Sequence, residues 1–188
     1  DRTWDAQHGW GLRLVAGTVV TAASFKELDT EVTLTFWLKP GAAVAAGSSP
    51  LLDLWPLSLV LDHVALTVYV YWRKTNGSLE QLYACPLEAN SYTFVSVTRQ
   101  GDTFTFGSAP ATLTAPVTLA TSTVTQCLPF DQGRFMAVTG GARTCWVRDL
   151  RVWSRKLALV ELDKVRHPDL VPTLVAYTPT FFKTREHR

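Results

Sequence analysis

Along much of the chain, apolar and polar side chains trade places at every residue, the period of a half-buried β-strand. In residues 32–39, Val32, Leu34, Phe36 and Leu38 share one face, and Thr33, Thr35, Trp37 and Lys39 share the other. Residues 66–73 repeat the pattern, with Leu66, Val68, Val70 and Trp72 against Thr67, Tyr69, Tyr71 and Arg73. Residues 93–99 and 102–107 follow, and Arg99-Gln100-Gly101-Asp102 between them predicts a hairpin. The same reading places strands at 12–20, 57–61, 79–85, 111–119, 134–139, 143–152 and 174–178. Val and Thr crowd these runs, as suits a pleated surface with one face covered.

Turn chemistry separates the runs. Residues 39–50 carry Pro and Gly at both ends and read as a loop. Asn76-Gly77, between two strand patterns, is a hairpin signal because both residue types tolerate positive φ. Thr139-Gly140-Gly141 marks a further turn.

The stretch "RDLRVWSRKLALVEL", residues 148–162, changes period midway. Its first half alternates, Arg148, Leu150 and Val152 opposite Asp149, Arg151 and Trp153. After Ser154, which can cap a helix, Leu157, Val160, Glu161, Lys164 and Val165 fall at helical spacing, and Pro168 ends the element. Such a stub is expected to lie across an open end of the sheets. The predicted fold is all-β, a two-sheet antiparallel β-sandwich of the jelly-roll kind with one short C-terminal helix.

At 188 residues, 47% of them apolar and 18% charged, the chain suits one globular domain, taken as residues 1–178, with 179–188 as a basic tail. Phe181-Phe182 beside Lys183 and Arg185 gives that tail some character of a docking peptide. A net charge of +2 gives no footprint for nucleic acid, and no apolar run reaches the ~20 residues of a membrane span. The opening "DRTWDAQHGW" reads as the start of a processed or excised segment. Of three cysteines, Cys127 and Cys145 form the candidate disulfide, the alternative being that they and Cys85 are all thiols.

Four quoted segments resemble laminin G-like domains of the concanavalin A-like lectin/glucanase superfamily, in that family's order. They are "GLRLVAGTVVTAASFKELDTEVTLTFWLKP" (11–40), "LTVYVYW" (66–72), "SYTFVSVTRQGDTFTF" (91–106) and "VRDLRVWSRKLALVEL" (147–162). The resemblance implies two packed sheets of six or seven strands each and an extracellular or cell-surface setting. It implies packing or edge positions for Trp4, Trp10, Trp37, Trp146 and Trp153. Many relatives bind calcium at a sheet rim. Here Arg148-Asp149 stands where relatives place an acidic pair, and Phe106-Gly107-Ser108 lacks their carboxylate, so calcium is disfavoured and no cofactor is expected. Asp53 and Asp62 stay unassigned.

Glycoside hydrolysis needs two carboxylates about 5–9.5 Å apart. Glu27/Asp29 and Glu161/Asp163 are the closest acidic pairs, and both read as solvated surface. His8, His63, His167 and His187 are scattered outside any nucleophile motif. The chain reads as a non-enzyme. Its leading function is a recognition or scaffold module that binds a protein partner within a larger chain or assembly. The rival is a lectin, with Trp37, Tyr69, Tyr71 and Arg73 as candidate ligand-binding residues, because sugars stack on aromatic rings beside polar groups. Packing beneath a neighbour competes with that use. Asn76-Gly77-Ser78 is also an N-glycosylation sequon.

Overall fold

A computed structural model describes residues 2–5, 9–17, 19–22, 30–42, 47–112, 116–125, 127–128, 130, 136–139, 141 and 143–166. The expected strand at 174–178 and the basic tail lie outside the described residues, as do Glu27 and Asp29. In chain order the elements are β1 (Arg2–Asp5), β2 (Gly9–Leu14), β3 (Val19–Ala22), β4 (Glu31–Pro40), β5 (Ser48–Leu54), β6 (Leu57–Asp62) and β7 (Thr67–Arg73). They continue with β8 (Leu79–Pro86), β9 (Thr93–Gln100), β10 (Thr103–Pro110), β11 (Thr118–Thr123), β12 (Met136–Thr139), β13 (Cys145–Trp153) and α1 (Leu159–Arg166). They form a seven-stranded sheet, β1-β2-β13-β4-β9-β10-β11, and a six-stranded sheet, β3-β12-β5-β6-β7-β8, each with antiparallel neighbours. Among the described residues the fold is therefore an all-β sandwich with one short helix.

The alternation places one face of each sheet between the two. Val32, Leu34, Phe36 and Leu38 of β4 meet Val68, Val70 and Trp72 of β7 in one core. Rings link the sheets: Trp72 lies 4.7 Å from Phe104, and Tyr83 stacks on Phe106 at 5.0 Å. Arg99 closes one end of this core, 3% exposed, its guanidinium 4.7 Å from the Trp72 ring. Its Nε donates to Gly101 O at 2.8 Å and its Nη1 to Leu128 O at 3.1 Å.

The structure departs from the sequence pattern at named places. The strand expected over 12–20 is two strands: the chain turns at Gly17, φ +80°, and leaves β2 in one sheet for β3 in the other. Of the strand expected at 111–119, residues 113–115 lie outside the described residues, 111–112 and 116–117 are not strand, and β11 starts at Thr118. Part of the expected loop 39–50 is β5, in which Leu51 and Leu52 are both buried because the register slips between Pro50 and Leu52. Cys127 and Cys145 do not pair; both are thiols, as is Cys85. Cys127 bridges to Lys74 at the Trp72 end, while Cys145 pairs with Pro40 at the far end of β4. Eight residues of strand, roughly 25 Å, separate those ends, against the ~6 Å that a disulfide spans between Cα atoms.

The alternation read for residues 148–153 holds over 150–153, where Leu150 and Val152 pack toward the inter-sheet core, and breaks at Arg148 and Asp149. Asp149 sits at φ +48°, and the β13–β4 register shifts between Arg148 and Arg151, the mark of a β-bulge. The extra residue reverses the phase. Val147 and Val152 then turn to the inter-sheet core, and Arg148 turns outward, its guanidinium 5.3 Å from the Trp37 ring and 5.2 Å from that of Tyr92.

The helix does not lie across an open end. It is tied to the outer face of the seven-stranded sheet, where Thr33 Oγ1 accepts from Leu157 N at 3.0 Å and donates to Arg155 O at 2.9 Å. Ser154 is exposed, and the capping falls to Glu161, whose carboxylate accepts from Ala158 N at 2.8 Å and from Arg155 at 2.7 and 3.1 Å. Val165 packs on a second apolar cluster formed by Trp37, Tyr92, Phe94, Ala109 and Val117.

Candidate functional site

The two outer faces differ. On the seven-stranded sheet Thr33, Thr35, Trp37, Phe94, Ser96 and Thr98 are all buried, Trp37 to 2% exposure. Trp37 meets Phe94 edge-on at 5.4 Å. Lys39 is held 5.4 Å from the Tyr92 ring and 5.5 Å from that of Trp146. Aromatic and cationic side chains here pack on one another, and Trp37 is not brought together with the other three candidate residues.

Tyr69, Tyr71 and Arg73 lie on the outer face of the six-stranded sheet. β6 and β7 alternate strictly between buried and half-buried positions, so that this face stays partly open. The rings of Tyr69 and Tyr71 are 6.4 Å apart at 45°. Across β6 they oppose Val60 and Ser58, and across β8 Ala84 and Gln81. Tyr71 Oη donates to Gln81 Oε1 at 3.4 Å. Arg73 places its guanidinium 4.5 Å from the Trp55 ring and donates from Nη1 to Gly77 O at 2.9 Å, which fixes the β7–β8 turn to this face. Leu79, opposite Arg73, is 52% exposed. The result is a Tyr-Tyr-Arg-Trp strip with an apolar rim. Trp55 reaches the strip through the β5–β6 turn, and nothing in the alternation marks it.

A second cluster joins residues that the sequence left scattered. Ser49 Oγ lies 2.7 Å from His63 Nε2, and the buried Arg143 donates from Nη2 to His63 O. A hydroxyl on an imidazole suggests nucleophilic catalysis, but the geometry opposes it. Among the described residues His63 Nδ1 has no hydrogen-bond partner, so none of them orients the ring. Asp62 is engaged instead by Val64 N and Ala65 N, both at 2.8 Å. A Cβ on Gly141 would fall 1.8 Å from Ser49 Oγ, so backbone occupies the space a substrate would need.

Burial and then the Arg143 charge push the His63 pKa below its ordinary 6.5, against a smaller opposing effect of Asp62. The unfolded chain therefore takes up this proton first as pH falls. Stability from His63 is full above pH 6.5 and is lost as the pH falls below it. Denaturation measured from pH 7 to pH 5 should show a shallower fall in His63→Gln than in the parent chain. Equal slopes would show that His63 does not carry the effect.

Burial likewise raises Cys85, Cys127 and Cys145 to about 11, so none is a thiolate near neutral pH. Among the described residues no three His, Cys, Asp or Glu side chains form a group that could hold a metal ion, and no helix is long and apolar enough to cross a membrane. The Glu161/Asp163 pair is committed to Arg155 and Arg166.

No protein-family model matches the sequence, and no curated protein matches it. Solved structures do share the fold. The receptor binding domain of botulinum neurotoxin D superposes with a TM-score of 0.68 at 9% identity, over 90% of this chain and 46% of that one. The botulinum neurotoxin serotype G binding domain gives 0.66 at 6% identity, over 90% and 45%. The binding domain of Paraclostridial Mosquitocidal Protein 1 gives 0.68 at 9% identity, again over 90% and 45%. The chain thus spans less than half the length of these structures, each of which is a binding domain; at such identities the likeness is one of fold.

Proposed function

We propose that this chain is a non-catalytic recognition module of the laminin G-like type, carried within a larger extracellular or cell-surface protein, and that it binds a protein partner. The observation that carries the reading is the half-open strip of Tyr69, Tyr71, Arg73 and Trp55 on the outer face of the six-stranded sheet, rimmed by exposed Leu79. Tyr, Trp and Arg are the residues that dominate protein interfaces, because each combines a large apolar area with a polar group. A fold shared with binding domains is consistent with this use. A sugar platform is the second reading, favoured by the adjacent tyrosine rings. Their 45° tilt and the commitment of Arg73 to Trp55 and Gly77 leave less for a flat sugar ring to grip.

A photo-crosslinking phenylalanine analogue placed at Tyr71 should join to a protein in native-host extract, whereas the same probe at Leu119, exposed on the other sheet, should not. Joint replacement of Tyr69 and Tyr71 by Ala, in a chain without the probe, should weaken binding of the protein so identified tenfold or more, since interface anchors contribute about 2 kcal/mol or more. Equal crosslinking from both positions would remove this face as the site. A glycan-array signal abolished by the double substitution would give the site to a carbohydrate.

A further inference from the structure

The hairpin between β7 and β8 plays no part in the binding strip beyond its anchoring by Arg73. We infer that Asn76 at its tip is an N-glycosylation site, the acceptor for an oligosaccharide carried on a lipid diphosphate. Asn76-Gly77-Ser78 supplies the acceptor amide and the hydroxyl two residues on that the transferase reads. Residues 75–79 are all exposed, and a Cβ built on Gly77 would find nothing within 4 Å, so the tip stands clear of the sandwich.

The turn is also preformed. Gly77 adopts φ +83°, Gly77 N donates to Lys74 O at 2.9 Å, and Lys74 N donates to Ser78 O at 2.9 Å. Asn76 Oδ1 accepts from Ser78 N at 3.0 Å and from Ser78 Oγ at 2.7 Å. Its Nδ2 has no protein partner among the described residues, so a sugar there displaces no contact of the fold.

In the transfer, Nδ2 attacks the anomeric carbon of the donor and the bond from that carbon to the diphosphate oxygen breaks. The lipid diphosphate leaves and Nδ2 gives up one proton; no oxidant or reductant is required. A competing reaction of Asn-Gly sequences is deamidation, in which the Gly nitrogen attacks the Asn side chain. Here that nitrogen is already engaged with Lys74 O.

The test is peptide mass spectrometry on the chain recovered from its natural source, released with peptide N-glycosidase in heavy-oxygen water. Position 76 should carry heavy-labelled aspartate. The chain secreted from a eukaryotic host should shift in mobility on the same treatment. Both Asn76→Gln and Ser78→Ala should abolish the shift, and Ser78→Thr should retain it. Unmodified asparagine in the natural protein, aspartate without the heavy label, or a shift that survives Asn76→Gln would each overturn the inference.

Discussion

Replacing Trp72 by alanine is expected to cost the folded domain about 3–5 kcal/mol, a large part of the 5–15 kcal/mol that holds most domains together. Trp72 is fully buried and joins the two sheets, with Phe104 at 4.7 Å and Phe130 at 5.1 Å from its ring. Among the described residues its Nε1 has no hydrogen-bond partner, so the loss is one of packing. A second cost comes through Arg99, which keeps its bonds to Gly101 and Leu128 but loses the ring that covers its guanidinium. A desolvated cation over an indole contributes about 2 kcal/mol, part of which is already in the total above. Trp72→Phe keeps a ring in place and should lose less than half as much. Urea denaturation of the three chains measures both differences. A Trp72→Ala loss under about 1 kcal/mol would mean that the sheets do not meet through this residue.

The fold was legible because a period of two is a strong and redundant signal. It recurs in β4, β6, β7, β9 and β10, and the Asn76-Gly77 and Gly101 turns fall between strands, where positive φ is needed. Two of the places where the reading slipped are bulges. An extra residue at Asp149 reverses the phase of β13, and another near Leu51 hides β5 behind two adjacent buried leucines. A pattern that depends on parity cannot announce its own break.

The candidate site was less legible for a different reason. Trp37 and Tyr71 occupy equivalent positions in their strands, each an aromatic on the polar phase of an alternating run. Alternation tells which residues share a face, but not whether that face is covered. Here α1 and the cluster around Tyr92 and Phe94 cover the face of Trp37, while the face of Tyr71 stays half open. The Ser49–His63–Arg143 cluster was equally hidden, since Ser49 comes from β5, His63 from the β6–β7 turn and Arg143 from the connection before β13.

The other large effect is expected where the last strand runs into the helix. Thr33→Val keeps the shape of the side chain and removes its hydroxyl, which lies between Leu157 N and Arg155 O in a fully buried position. Two backbone groups then lose a partner away from water, at about 1–3 kcal/mol each. The same hydroxyl meets Thr98 Oγ1 at 3.2 Å, so a third polar group is left short. The loss should total about 2–6 kcal/mol, with local opening added to it, because α1 is eight residues long and is too short to hold itself as a helix. Amide exchange separates these two parts. Leu157 and Leu162, both buried in the parent chain, should lose protection in Thr33→Val before the strands of the six-stranded sheet do. Thr33→Ser retains the hydroxyl and should keep that protection. If Thr33→Val exchanges at Leu157 and Leu162 as the parent does, the helix is held by Val165 and Leu162 packing alone, and the strand-to-helix joint is not its anchor.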